Sequence, residues 1–329
     1  MTDYYVDPAA SGANDGSSWA DAWTSLQTAA DTVTAGNRIL CRGTEAVSAA
    51  IAFDTNAGDT TSGRVQIVGC NASGVEDGTR FVIDGEDTAS ECLTPSVLEL
   101  EFRNIEVKNA TTDGIDPTSG SSYCVWINCV SHDNGNNGWG SVSSRHSFVR
   151  CAAYNNAYRG FYLEAGNYHD LTFCWAVNNG WYGFVSQGTG VNFNACIASG
   201  HSVNGGFYID RSALLYNCII HNNATGIVMT DLDSKIIGCR ITNNTTGIDI
   251  QSAGHMCLYG FNYFHGNTTD ISDASVDSRI LTIGGADTNQ YDVDADNGYN
   301  NAASYDFNLK ANRTYNGDGN DLLLFGVGS

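Results

Sequence analysis

Nine side chains in the middle of the chain have the types and spacing to handle a polar, ring-shaped ligand. They are Tyr158, Arg159, Tyr162, Glu164, Trp181, Tyr182, Tyr208, Asp210 and Arg211. Aromatic faces stack on the apolar faces of rings, while Arg, Glu and Asp hydrogen-bond to hydroxyls. Glu164 and Asp210 are also candidates for a catalytic carboxylate pair, one to protonate a leaving group and one to activate water. The other seven are read as substrate-binding residues. Asp292, Asp294 and Asp296 form a weak Ca2+ candidate, because that hard cation takes oxygen ligands. Gly298 falls one place late for an EF-hand loop, however, and Ala303 stands where its bidentate Glu belongs; an acidic, turn-rich cap accounts for the same residues. No other cofactor is expected.

These residues cooperate only if the fold lays separated stretches side by side, and an internal repeat does so. Cys129, Cys151, Cys174, Cys196, Cys218 and Cys239 follow one another at 22, 23, 22, 22 and 21 residues. Periods of this size mark a solenoid. Three residues before each Cys stands an apolar residue: Trp126, Phe148, Leu171, Phe193, Leu215 and Ile236. Five after it come Asn134, Asn156, Asn179, His201, Asn223 and Asn244. Farther on lie Gly138-Trp139, Gly160-Phe161, Gly183-Phe184, Gly206-Phe207, Gly226-Ile227 and Gly247-Ile248. With Asn in place of Cys the pattern extends to Asn104, Asn109 and Gly114-Ile115 on one side, and to Asn262, Asn267 and Asp270-Ile271 on the other.

Each column has a physical reason. Coils stacked at the ~4.8 Å spacing of paired strands put equivalent residues in contact, so apolar columns become core ridges. An Asn column passes amide hydrogen bonds from coil to coil. The Gly column is expected at turns with positive φ, and Cys as a small apolar filler at a crowded corner. A leucine-rich repeat has an overlapping period but needs several Leu per coil and a helical convex side. Here the connecting segments, such as Asn-Asn-Ala-Tyr-Arg-Gly, are turns. The expected fold is therefore all-β, a right-handed parallel β-helix solenoid with an N-terminal capping helix. Alternation past each Gly points Phe161, Phe184 and Phe207 inward and Tyr162, Val185 and Tyr208 outward. Trp126 and Trp139 fall on core columns. His132, His221 and His265 share an outward column on non-adjacent coils, which argues against a metal site.

One continuous domain is expected, in three stretches: a strand and capping helix over 1–40, coils over 41–285, and an irregular Asp/Asn/Gly-rich cap over 286–329. Residues 18–36 are the predicted helix, capped by Ser17 or Ser18, stopped by Gly36, and placed to cover the first coil.

Tyr4-Tyr5-Val6-Asp7-Pro8, Gly12-Ala13-Asn14-Asp15-Gly16-Ser17-Ser18-Trp19, Thr24-Ser25-Leu26-Gln27 and Ala35-Gly36-Asn37-Arg38-Ile39 resemble the opening of pectin-lyase-like β-helix proteins. The resemblance covers about forty residues, and the coil columns cover most of the rest. It implies the fold, and a superfamily of polysaccharide lyases, hydrolases, epimerases, adhesins and phage tailspikes. Within it, Asp113-Gly114-Ile115-Asp116 resembles the Asn-Thr-Asp-Gly-Xaa-Asp stretch of polygalacturonase-type hydrolases, whose first Asp belongs to the catalytic acid group. One coil on, His132-Asp133-Asn134 offers one carboxylate where that family has two. Ser199-Gly200-His201 only partly matches its Gly-His-Gly, so Asp113 is read as a turn residue. A lyase would need a base and a cation for a uronate, but Lys108, Lys235 and Lys310 are the only lysines.

Composition narrows the partners. With 36 Asp and Glu against 15 Lys and Arg, the net charge of −21 repels phosphate backbones, so nucleic acid is not expected. No apolar run is long enough to insert in a membrane. The start lacks the charge and apolar pattern of a secretory signal, and the 11 Cys are odd in number and fall mostly on one column, which suits reduced, buried thiols. A product of the cytosol, displayed on a virion surface or an extracellular face, is the expectation. Two functions stay open: a solenoid that binds, or binds and cleaves, a cell-surface or matrix polysaccharide in the manner of a tailspike; or a non-enzymatic structural solenoid of a virus particle or surface assembly, with a homo-oligomeric or virion partner.

Overall fold

The fold is that of a computed structural model, which describes residues 1–140, 143–164, 166–230, 233–251 and 257–274 with their side chains. Beyond these it describes only the backbone of short strands within 279–309. The chain winds into a right-handed parallel β-solenoid. Three sheets run along it, each strand pairing in parallel with its equivalent one coil on. The first sheet begins with Asp3–Val6 beside Arg38–Arg42 and turns Ile39, Ile67, Phe102, Trp126, Phe148, Leu171, Phe193, Leu215 and Ile236 inward. The second turns in Ile83, Val107, Ser131, Ala153, Ala176, Ala198, Ile220 and Ile241. In the third, single bridges link Leu93, Ile115, Trp139 and Phe161, after which the register continues through Phe184, Phe207, Ile227 and Ile248.

Stacking of like on like is literal in this core. Rings of Trp139, Phe161, Phe184 and Phe207 lie 4.5, 5.0 and 4.8 Å apart, near parallel. Trp126 and Trp139 are fully buried, as their columns require. All eleven cysteines are free and buried. Those of the column donate weakly to carbonyls of the preceding coil, Cys151 to Trp126 and Cys174 to Phe148. Burial pushes the thiols of Cys129, Cys151, Cys196 and Cys239 well up, which keeps them protonated and inert.

The Asn column is a continuous ladder. Asn134 donates through Nδ2 to Asn156 Oδ1 at 2.8 Å, Asn156 to Asn179 at 2.9 Å, Asn223 to Asn244 at 3.0 Å, and Asn244 to Asn267 at 3.0 Å. Each Oδ1 also accepts the backbone N–H of the previous ladder residue. His201 fits because imidazole has the same polarity. Its Nε2 accepts from Asn179 at 3.3 Å and its Nδ1 donates to Asn223 at 2.9 Å. Only the neutral ring can do both, and burial lowers its pKa to about 4.

Three expectations need correction. The Gly column is not a positive-φ column: Gly138, Gly160, Gly183 and Gly206 have ordinary φ, and a Cβ there would lie 2.8–3.2 Å from ladder amides or His201, and as near or nearer to the next Gly carbonyl. Glycine leaves room for the ladder. The left-handed residues precede the Cys and ladder positions instead, at Asn128, Arg150, Phe173, Ala195 and Asn217, and at Asp133, Asn155, Asn178 and Asn222. Second, Asn104 and Asn109 belong to these left-handed positions, with φ of 53° and 56°. The ladder therefore starts one residue later, where Ala110 N–H donates to Asn134. Third, the helix spans only Leu26–Thr32. Ser25 caps it and Val33 closes it, while Ser18 is tied to Asp21 in the preceding turn. Leu26, Ala29 and Ala30 are the buried face. Among the described residues no helix is long and apolar enough to cross a membrane.

Candidate functional site

The outward face of the third sheet gathers most of the predicted site. Its register aligns Tyr162, Val185, Tyr208, Val228 and Asp249 in one column. Arg159 sits among three rings, its guanidinium carbon 4.3 Å from Tyr158, 4.0 Å from Tyr162 and 4.8 Å from Trp181. Trp181 stacks on Tyr158 at 4.4 Å. Tyr158, Tyr162, Trp181 and Tyr208 are each partly exposed. Tyr182 does not: it is 8 % exposed and packs with Val185 and Val228, a floor beneath the platform rather than a contact residue. Burial, and then the neighbouring Glu164 carboxylate, push the Tyr162 hydroxyl up to about 12. Burial takes Tyr182 to about 12 as well. Both stay protonated donors at neutral pH.

The rim of the platform is polar. Glu164 is exposed, and Gln187 occupies the coil between it and Asp210. Tyr162 donates to Gln187 Oε1 at 3.4 Å, Gln187 Nε2 lies 3.5 Å from Asp210, and Thr230 donates to the other Asp210 oxygen at 2.7 Å. Asp210 is thus engaged on both oxygens and Glu164 stands apart from it. Arg211 is exposed beyond the stacked groups. Of the calcium candidates, Asp292 ends the strand Gln290–Asp292 without a described side chain, and Asp294 and Asp296 lie outside the described residues.

The face continues toward the N-terminus into residues not assigned a site role from sequence. The bridges that align Leu93, Ile115, Trp139 and Phe161 also align Asp116, Gly140 and Tyr162 one residue later, on the outward side, and Glu91, Asp113, Asn137 and Arg159 two residues before the bridged positions. Asp113 Oδ1 accepts the Asn137 backbone N–H at 2.8 Å and its Nδ2 at 2.9 Å. Burial raises the pKa of Asp113. Burial, then the charges of Asp113 and Glu91, raise Asp116 to about 6. The sequence signal was there in Asp113-Gly114-Ile115-Asp116, but the link to Gly140 depends on cross-coil register.

A second polar group lies on the next sheet. His132 meets Asp133 at 2.6 Å and Glu106 at 3.3 Å and stacks on Tyr154 at 4.5 Å. Burial opposes its charge, but the two carboxylates outweigh that and raise its pKa. The two carboxylates thereby favour its charged form relative to a free imidazole. His201, by contrast, is a buried ladder member and takes no part in a site.

These coils define a right-handed parallel β-helix. The chain belongs to the family described as the right handed beta helix region, whose profile matches residues 51–215. No curated protein matches it in sequence. Among solved structures it resembles pectate lyase Pel9A with a TM-score of 0.62 at 18 % identity, over 88 % of this chain and 79 % of that one. It also resembles the GH136 lacto-N-biosidase of Eubacterium ramulus, with a TM-score of 0.59 at 12 % identity over 88 % and 68 %. The ORF18 protein of Geobacillus virus E2 gives 0.52 at 13 % identity, over 81 % of this chain and 56 % of the viral one. At such identities the likeness is one of fold.

Proposed function

We propose that the outward face of the third sheet binds a polysaccharide or other glycan along the solenoid axis. One observation carries this reading: Tyr158, Tyr162 and Trp181 present partly exposed rings around Arg159, and Tyr208 continues the row on the next coil. Coils repeat at ~4.8 Å, so three coils offer about 10 Å of aromatic surface, long enough for two sugar rings. The names of the pectate lyase and the lacto-N-biosidase with this fold support a carbohydrate ligand. A panel of oligosaccharides tested by calorimetry checks the reading. Trp181→Ala should weaken binding about tenfold with little change in stability, because a partly exposed ring at the surface contributes more to a ligand than to the core.

Cleavage is the finer reading. Reducing-end release on the same panel tests it, with Glu164→Gln lowering turnover and sparing affinity if Glu164 reacts. The likeness to a viral protein favours a second reading, in which the solenoid is carried on a virus particle and this face packs against another chain. Trp181 buried in an oligomer, with no glycan bound, would establish that reading instead.

A further inference from the structure

We infer that Asp113, Asp116, Asn137 and Arg159 form a subsite for one hydroxylated ring of a neutral glycan, an inference that rests on the glycan reading of this face and names its ligand class. The first observation is steric. A Cβ at Gly140 would stand 2.5 Å from Asp113 Oδ2 and 2.6 Å from Asp116 Oδ1, so both carboxyl groups converge on the space that glycine leaves open. The φ of Gly140 is not in the left-handed region, and the backbone therefore does not demand glycine. The room for two carboxyls does.

The second observation is an unmet hydrogen-bonding demand. Asn137 is 3 % exposed and spends its Nδ2 on Asp113, while its Oδ1 is buried with no partner among the described residues. Arg159, one coil on in the same column, has its Nε buried and equally unpartnered. One is an acceptor and the other a donor. A hydroxyl both donates and accepts, so the hydroxyls of one sugar ring suit the two demands. A buried polar atom left unsatisfied is costly, which gives such a ligand a reason to bind here.

Charge decides against uronates. Asp113 and Asp116 line the subsite as carboxyl groups with the charge of Glu91 beside them, and Arg159 is the one cation among the four subsite residues, two coils on from Asp113. A ligand carboxylate would meet three like groups and the Asn137 carbonyl oxygen. A neutral ring meets hydrogen-bonding partners instead.

A pH dependence follows. Asp116 titrates at about 6, held there by burial and by its neighbours' charge. Covering the pair with a sugar removes water and disfavours its ionised form further, so binding takes up a proton. Affinity should then fall as pH rises through about 6.

The experiment is calorimetric titration of neutral hexasaccharides (glucan, galactan, mannan, xylan) and of hexagalacturonate at about pH 5 and about pH 7.5. Wild type should bind a neutral hexasaccharide about fivefold or more tightly at the lower pH. Asp116→Asn, neutral at both values, should lose that dependence, and Gly140→Ala should weaken binding about tenfold by driving the carboxyls apart. Wild-type binding that ignores pH, Gly140→Ala binding like wild type, or binding of hexagalacturonate alone would each overturn the inference. If Trp181→Ala abolishes binding while Gly140→Ala spares it, only the subsite falls. If no oligosaccharide binds at either pH, the subsite and the glycan reading fall together.

Discussion

The asparagine ladder and the Arg159 face lie a few residues apart on the same coils, yet they treat polar groups in opposite ways. In the ladder Asn156, Asn179, Asn223 and Asn244 each pass one amide hydrogen bond to the next coil and a second to a backbone carbonyl, as Asn156 does to Ser131. Its residues repeat and its glycines make space for it. The face does not repeat. It changes from Glu91 and Asp113 through Asn137 to Arg159 and Tyr182 along one column, and it leaves Asn137 Oδ1 and Arg159 Nε without partners. Periodicity with full satisfaction marks a structural column. Aperiodicity with unmet demand marks a surface shaped for something else.

The largest effect should come from breaking the ladder. Asn179→Ala orphans the Nδ2 and backbone N–H of Asn156 and the Nε2 of His201 at once. It should cost about 2–4 kcal/mol in chemical unfolding and leave ligand binding unchanged. Unaltered stability would mean that the ladder carries no load and that the contrast drawn here is false.

Acid should weaken the same column. His201 titrates near 6.5 when unfolded but at about 4 in the fold, so the unfolded chain binds the extra proton between those values. Stability is full above pH 6.5 and is lost as pH falls toward and through 4, by about 3 kcal/mol from this residue. His201→Asn should flatten that slope.

On the face the sign reverses. Asp116 has its pKa raised to about 6, so the folded chain holds the extra proton between about 4 and 6, and stability declines across that window as pH rises. Partial exposure screens the effect to about 1 kcal/mol. Asp116→Asn should therefore stabilise the protein at pH 7.5 and do nothing at pH 3, read as a shift in Tm. A ladder residue cannot behave that way, since its removal destabilises at every pH.

Much of this architecture is legible in the chain itself. Six cysteines at near-constant spacing give the coil length, and alternation past Gly160 and Gly183 gives the inward and outward sides of the third sheet. Other features are not legible, for physical reasons. A recurring glycine reads as a turn until the ladder amide beside it is located. Asn104 and Asn109 look like column members because Asn serves both the ladder and the left-handed position next to it. Ser18 has the type of a helix cap, but its hydroxyl is tied to Asp21, and the helix waits for Ser25. The convergence of Asp113 and Asp116 on Gly140 needs a register carried across a coil of 24 residues, from Ile115 to Trp139, where the period slips.

The measurement closest to the central claim compares one ligand titration across three proteins: wild type, Trp181→Ala and Asn179→Ala, each at a temperature where it is folded. The account predicts that a glycan binds wild type and Asn179→Ala alike and binds Trp181→Ala about tenfold more weakly, with the stability loss confined to Asn179→Ala. Equal binding by wild type and Trp181→Ala, or loss of binding in Asn179→Ala while it remains folded, would contradict it.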